Sequence, residues 1–158
     1  MQRILGVFLF AVVFAHGADA QELTVGISSY TPFGLDDLDG KLPVSAELRV
    51  TLPISKRFAL EPFFTAGATR RSAGNRTEGF YGLQVRQRIA NTTAFVTYGG
   101  AGLYSSQYRY TGPIIGHFGF GVRQRLSKHL AFRPEVHLVT FHVVPIGVRF
   151  VAGFSVGR

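Results

Sequence analysis

The sequence predicts an all-β protein, an eight-stranded antiparallel up-and-down barrel. Three observations lead to this prediction: alternation of apolar and polar residues with a period of two, eight segments of strand length, and polar connections at regular spacing. The alternation is clearest in "IGVRFVAGFSV" (146–156), where branched and aromatic side chains fill one face and mostly Gly, Ser and Arg149 fill the other. "VSAELRVTL" (44–52) and "FGFGVRQRL" (118–126) repeat it. No comparable pattern occurs at helical spacing, which favours strands throughout.

The first twenty residues, "MQRILGVFLFAVVFAHGADA", have the pattern of a secretory signal peptide. A short basic start precedes an apolar run from Ile4 to Ala15, and Ala18-Asp19-Ala20 supplies the small residues of a cleavage site. The apolar run is too short for a helix that spans a membrane. We therefore predict a signal peptide over residues 1–20, cleaved near Ala20, and one barrel domain over residues 21–158.

Charge and cysteine content exclude several function classes. The chain has a formal net charge of +8 and no Cys, so disulfides, thiol chemistry and Cys-based metal sites are ruled out. A basic balance suits contact with anionic lipid or polysaccharide. A secreted chain seldom meets nucleic acid, and no basic motif with interleaved aromatic residues occurs, so we expect no nucleic-acid partner.

Eight strands are predicted, and most have the length of about 9–11 residues that a tilted strand needs to cross a bilayer. They cover residues 22–33, 42–53, 58–69, 79–89, 94–104, 114–126, 130–141 and 144–156. Tight connections at "PISKR", "ANTT" and "SKH" alternate with longer polar ones at "LDDLDGK", "RRSAGNRTE" and "SSQYRYTGP". The last connection, near His142, is short and breaks this alternation.

An internal echo relates the third predicted strand to the seventh. "ISKRFALEP" begins at Ile54 and returns as "LSKHLAFRP" at Leu126, and the one charge reversal is Glu61 against Arg133. Gene duplication and convergence on the same turn chemistry both explain the echo. In a closed barrel of eight strands, strands four apart lie opposite each other, and the interior is narrow enough for long side chains to meet. We therefore predict that Glu61 and Arg133 belong to one ion-pair network, with Arg49 beside Glu61 and Arg123 beside Glu135.

The composition of the polar faces favours a transmembrane barrel over a secreted soluble ligand-binding barrel, which remains the alternative. These faces carry small residues with Arg and Glu, as a confined interior requires, while Lys lies mostly in connections. The predicted lumen network comprises Glu47, Arg49, Glu61, Arg86, Arg88, Arg123, Arg125, Arg133, Glu135 and Arg149. The outward side is predicted to carry Phe118, Phe120, Val122, Val148, Phe150 and Phe154. Aromatic girdles at the membrane interfaces are predicted from Tyr30, Phe33, Phe58, Tyr81, Tyr98 and Tyr104.

In its signal peptide, hairpin spacing and final strand "GVRFVAGFSV", the sequence resembles the small eight-stranded outer-membrane barrels of the OmpA transmembrane domain and OmpX type. The resemblance implies an outer-membrane protein of a Gram-negative-type bacterium, monomeric, with a structural or surface-interaction role. The implied partners are outer-membrane lipid, lipopolysaccharide and the barrel assembly machinery. That machinery reads an aromatic residue near the end of such barrels, for which Phe154 is the best candidate here.

Some eight-stranded outer-membrane barrels are lipid-modifying enzymes, so a lipid A deacylase-like activity is the second alternative. That family uses a His and a Ser two residues apart on one strand. Here Gly119 follows His117 at this spacing, and Val139 follows His137. We therefore predict no catalytic residues and no enzymatic activity.

No metal and no cofactor are expected. His137 and His142 are five residues apart, which places them on opposite faces of a strand, while His117 and His137 can both face the lumen. The basic residues of the longer connections are the remaining candidates for binding, through the phosphates of lipopolysaccharide. They are Arg70, Arg71, Arg76 and Arg109, and solvation alone is the alternative for each.

Overall fold

A computed structural model of the chain describes residues 22–33, 44–71, 74–89, 92–105, 110–111 and 115–157. Eight long strands account for most of these residues. They are β1 (Glu22–Pro32), β2 (Val44–Pro53), β3 (Phe58–Arg71), β4 (Gly74–Arg88), β5 (Ala94–Ser105), β6 (Ile115–Val122), β7 (Leu130–Phe141) and β8 (Val144–Gly157). Two short segments flank β6: Tyr110–Thr111 pairs with β5, and Gln124–Arg125 pairs with β7.

The strands form a closed antiparallel barrel, as predicted from the sequence. Each strand pairs with the next along the chain, and β8 pairs with β1 to complete the circle. The paired register, followed once around the barrel from Glu22, returns to β1 at Pro32 rather than at Glu22. This stagger tilts the strands against the barrel axis. Among the described residues, no helix is long and apolar enough to cross a membrane.

The two ends of the barrel differ in their connections. The end reached by residues 54–57, 89–93 and 126–129 is called the turn end here, and the opposite end is called the loop end. At the loop end, β3 and β4 remain paired as far as Arg71 and Gly74, so most of the predicted long connection "RRSAGNRTE" is strand. The prediction of a loop was wrong there. Backbone hydrogen bonds alone continue a hairpin, even where neither face of the two strands is apolar.

Side chains alternate strictly between the lumen and the outer surface. On β6 and β8 the predicted outward residues Phe118, Phe120, Phe150 and Phe154 are between 46% and 54% exposed, which confirms their placement. Val122 and Val148 lie on the same side and are partly exposed. Apolar side chains of the other strands complete an outer band. The most exposed include Leu23, Val25, Ile27, Val44, Tyr81, Leu83, Tyr98, Val136, Leu138 and Val156.

The lumen is filled in two layers. Toward the loop end lies an apolar cluster of Phe63, Phe80, Ala101, Ile115 and Val139, against which Tyr30 and Ile146 pack. Toward the turn end the lumen is filled by charged and polar side chains. Placing Tyr30 in the outer girdle was wrong, because it shares the inward side of β1 with Thr24 and Ser28. Its hydroxyl donates to the Ile146 carbonyl at 3.2 Å, and its ring meets Phe80 edge-on.

The other predicted girdle residues include four exposed aromatic side chains, Phe33, Phe58, Tyr81 and Tyr98. They lie on the outer surface, but Tyr81 lies in the middle of β4 rather than at its end, and the girdles stay a prediction. The side chain of Tyr104 falls outside the described residues.

The β7–β8 connection is a two-residue turn with both central residues in the left-handed region. Phe141 pairs with Val144, and the φ angles of His142 and Val143 are 45° and 68°. This is the pattern of a type I′ turn, which suits the twist of a hairpin but favours Asn and Gly. A β-branched residue such as Val143 is strained in that conformation.

We expect the double substitution His142→Asn/Val143→Gly to raise the free energy of unfolding by about 1 kcal/mol, because it relieves the left-handed strain. Urea unfolding in phospholipid vesicles measures the change. The matched control is Lys56→Asn/Arg57→Gly in the β2–β3 turn, where both residues have ordinary negative φ. There the added glycine should destabilise the fold, and the same sign in both turns would contradict the explanation.

Candidate functional site: the charged interior

Arg49 lies at the centre of a charged network inside the barrel. It comes from β2, is fully buried, and donates to three carboxylates. Its Nη1 donates to both oxygens of Glu135 at 2.7 and 2.9 Å and to Oε2 of Glu61 at 3.3 Å, and its Nη2 donates to Glu47. Because Glu135 lies on β7, its contacts with Arg49 bridge the lumen, whereas Glu61 lies on the neighbouring strand β3 and Glu47 on β2 itself.

Glu61 and Arg133, the two residues related by the sequence echo, meet in the lumen. Both are fully buried. Arg133 Nη1 donates to Glu61 Oε1 at 3.1 Å, and Arg133 Nη2 donates to Oε2 at 3.2 Å. A planar guanidinium facing a carboxylate in this two-bond geometry is among the strongest charge-assisted contacts in proteins. Strand alternation turns the side chains of Glu61 and Arg133 inward. Because the two residues lie on opposite walls at a similar depth, they can meet.

Arg149 extends the network toward the apolar layer. It is nearly buried, donates to Glu47, and its guanidinium carbon lies 5.0 Å from the centre of the Phe63 ring. Arg133 has a similar contact, 5.0 Å from the ring centre of Phe95. Cations over aromatic faces replace part of the hydration that both arginines lose on burial.

Neutral side chains that the sequence analysis did not select complete the network. Gln84 Nε2 donates to Glu61 at 2.8 Å, and the hydroxyl of Thr51 donates to the same carboxylate at 2.7 Å. His137 Nε2 lies 3.0 Å from Glu135. Their signal in the sequence was their position, since each alternates onto the same face as a charged residue two positions away.

The arginines nearest the turn end have different surroundings. Arg123 lies beside Glu135 as predicted, because it is two residues beyond Gly121, the register partner of Glu135. Its Nη2 contacts Glu22 at 2.7 Å. Arg86 lies between Glu61 at 3.4 Å and Glu22 at 3.6 Å.

Arg88 and Arg125 are exposed, which corrects their placement in the lumen network. They follow the inward alternation but lie past the last complete ring of paired strands. Arg88 donates to the Thr92 carbonyl, while Arg125 donates to the carbonyls of Ser127 and Lys128.

Glycines on the inner face make room for the network. A Cβ at Gly121 would lie 2.5 Å from the Phe95 ring and 2.7 Å from the Glu135 side chain. A Cβ at Gly119 would lie 2.5 Å from the ring of His137. Small residues beside large ones therefore let long side chains cross a narrow lumen.

The two lumen histidines lie side by side above the carboxylates. The ring centres of His117 and His137 are 5.4 Å apart, and the His117 ring meets Phe63 edge-on. Within the described residues, no group of three or more His, Cys, Asp or Glu side chains is placed to hold a metal ion. Both rings face inward, so neither is presented at the outer surface.

Three of the basic residues predicted for lipopolysaccharide contact lie at the loop end. Arg70 and Arg71 end β3, Arg76 is near the start of β4, which begins at Gly74, and the structure describes only their backbone. Arg109 lies outside the described residues, as do residues 1–20 with the predicted cleavage site.

We expect Glu61→Gln and Arg133→Gln each to lower the free energy of unfolding by about 3–5 kcal/mol, because each leaves buried charge without its partner. Their combined loss should fall short of the sum by at least about 1 kcal/mol, since the two side chains contact each other. Urea unfolding in vesicles measures all three variants, and Arg88→Gln, an exposed arginine, is the control and should be neutral. Additive losses would show that the two residues do not interact.

Solved structures are similar to this architecture, whereas comparisons of the sequence find no match. No family model matches the chain, and no curated protein matches it. Among solved structures, Neisserial surface protein A is similar with a TM-score of 0.58 at 8% identity, over 88% of this chain and 96% of that one. The N-terminal barrel of Pseudomonas aeruginosa OprF gives a TM-score of 0.53 at 10% identity, over 89% and 99%. Yersinia pestis Ail, the attachment invasion locus protein, gives 0.52 at 12% identity, over 87% and 97%. The chain therefore has the fold of the small eight-stranded outer-membrane β-barrels.

Proposed function

We propose that the protein is an integral outer-membrane barrel of a Gram-negative-type bacterium, with a structural or surface-interaction role and without channel or enzymatic activity. The observation that carries the proposal is the division of its side chains. Large apolar side chains stand exposed around the closed barrel, while ion pairs fill its interior. A water-soluble barrel has the reverse arrangement.

The outer band is too apolar for a surface in contact with water. Val25, Ile27, Phe118, Phe150 and Phe154 are each more than half exposed, and neighbouring strands add further apolar side chains to the same surface. Monomeric soluble proteins rarely expose contiguous apolar patches larger than a few hundred Å². Lipid removes this cost, and a closed barrel also leaves no unpaired strand edge in the membrane.

A channel role is disfavoured because side chains cross the lumen. Arg49 of β2 reaches Glu135 of β7, and Arg133 of β7 reaches Glu61 of β3. The apolar cluster around Phe63 fills the space toward the loop end. Eight strands enclose an interior just wide enough for side chains, so little space is left for a continuous water-filled path.

A lipid-modifying role is disfavoured by the orientation of the lumen histidines. An enzyme acting on membrane lipid needs its nucleophile and base where the lipid can reach them. His117 and His137 instead lie inside the wall, with His137 bound to the network through Glu135.

The remaining parts of the proposal concern export and surface contacts. We propose cleavage near Ala20, assembly by the barrel assembly machinery, and a monomeric state. Phe154, exposed on the last strand, is the aromatic residue offered to that machinery. Arg70, Arg71 and Arg76 at the loop end, together with Arg109, are proposed contacts for lipopolysaccharide phosphates. The names of two structural neighbours, a surface protein and an attachment protein, support a surface-interaction role.

Leu83→Arg and Ile54→Arg together test the membrane placement. Both side chains are exposed and apolar, but Leu83 lies in the middle of the outer band on β4, whereas Ile54 lies in a turn at the rim. In lipid vesicles, Leu83→Arg should cost about 2–4 kcal/mol of unfolding free energy and Ile54→Arg about 0–1 kcal/mol, because an arginine is costly only at membrane depth.

Three further measurements accompany these variants. The unmodified protein should fractionate with the outer membrane, change its gel mobility on boiling, and give no steady conductance in planar bilayers. Equal, negligible effects of both arginines, or recovery as a soluble periplasmic protein, would overturn the proposal.

A further inference from the structure

The turn end of the barrel contains a cavity lined by an excess of positive charge. It has a volume of about 430 Å³ and lies between the start of β1, the β2–β3 and β4–β5 turns, and the segment that follows β6. The side chains of Ala59 and Phe95, both buried, form part of its wall. Six basic side chains line it, against the single carboxylate of Glu22 among the described lining residues. They are Lys56, Arg57, Arg86, Arg88, Arg123 and Arg125.

The charge of this cavity is not neutralised by the network above it. The inner network has three carboxylates, Glu47, Glu61 and Glu135, for three guanidinium groups, Arg49, Arg133 and Arg149. The excess of cations therefore begins at the level of Arg86 and Arg123. A concave wall of one sign, set against a low-dielectric barrel, concentrates the electric field and attracts counter-charge.

Several of the cationic groups are held in place before any ligand arrives. Arg88 Nε donates to the Thr92 carbonyl at 3.2 Å, and Arg125 donates to two carbonyls of the β6–β7 turn at 3.1 Å each. The hydroxyl oxygen of Ser55 accepts from the backbone N–H groups of Arg57 and Phe58, which fixes the β2–β3 turn. An anion bound here would therefore immobilise few additional side-chain rotamers.

Two lining arginines also have donors that make no hydrogen bond. Arg86 Nη1 and Arg123 Nε are buried in this state, as is the acceptor Glu22 Oε2, and Arg86 Nη1 lies 3.6 Å from Glu22 and 3.4 Å from Glu61. Buried donors normally find acceptors. Phosphate groups supply several acceptor oxygens in the geometry that guanidinium groups match.

We propose that this cavity, called the basic cavity here, is a binding site for a phosphate-bearing anion. Its volume accommodates a small phosphorylated molecule or the headgroup of a phosphorylated lipid, and its excess of basic side chains favours an anion with several negative charges. The proposed membrane insertion places the turn end at the periplasmic face, since tight turns lie there in such barrels. Phosphate binding itself does not depend on that orientation, so it can be tested in detergent.

The sequence echo supplies a matched pair of variants. Lys56 and Lys128 follow a serine in equivalent turns at the same end of the barrel, but only Lys56 lines the basic cavity. Tripolyphosphate is titrated by calorimetry into the purified protein in zwitterionic micelles at fixed ionic strength. We expect saturable binding, a rise in Kd of about 3- to 10-fold for Lys56→Gln and for Arg88→Gln, and less than a twofold rise for Lys128→Gln.

Citrate serves as the control ligand, and nanodiscs separate the two sources of phosphate. Citrate binding as tight as that of tripolyphosphate, equal effects of Lys56→Gln and Lys128→Gln, or no saturable binding would each overturn the proposal. If the natural ligand is a soluble phosphate compound, the ratio of tripolyphosphate Kd values between Lys56→Gln and the unmodified protein is the same in phosphatidylglycerol nanodiscs as in micelles. Occupation by a lipid headgroup brings that ratio toward one, and both outcomes support the site. Failure of Leu83→Arg to destabilise the barrel in vesicles would count against membrane insertion alone.

Discussion

The contacts of Arg49 with Glu135 and of Arg133 with Glu61 join strands across the lumen, and the rest of the interior is arranged around them. Closure of eight strands fixes the width of the lumen, so each long side chain has to find a partner inside. Unpaired charge there is costly, whereas the net stability gained from a paired network is small. The network therefore contributes more to the selection of a single arrangement of side chains than to the free energy of unfolding. Gly119 and Gly121 keep open the space that this arrangement needs.

Strand alternation made the barrel, its two faces and the approach of Glu61 to Arg133 predictable, because each follows from the period of two and from eightfold closure. The local pattern did not indicate contacts across the turn end or the point where a strand leaves the barrel. Arg123, after β6, reaches Glu22 at the start of β1, and these two strands are not paired. Arg88 and Arg125 alternate inward but lie beyond the last complete ring. Neither distinction is encoded in the local pattern.

Low sequence identity to the structural neighbours is expected because the two faces of the barrel wall have different environments. In the proposed membrane placement, lipid requires only that outward side chains be apolar, so Phe118 or Val25 could be replaced by any residue of similar character. The lumen requires mutual satisfaction, which many combinations of Arg, Glu, Gln and small residues provide. Identities of 8% and 10% therefore accompany the same closed topology. A sequence comparison has little to align, although the pattern of alternation is retained.

The two ends of the lumen impose different chemistry. Toward the loop end, Phe63, Phe80, Ile115 and Val139 exclude charge from the interior. Toward the turn end, the balanced network gives way to the unbalanced cations of the basic cavity. An anion entering from the turn end meets complementary groups first and then a layer in which Arg49, Arg133 and Arg149 are balanced by three carboxylates. The middle of the lumen is occupied by contacts that the fold itself requires, so the cations in excess over carboxylates lie at the turn end.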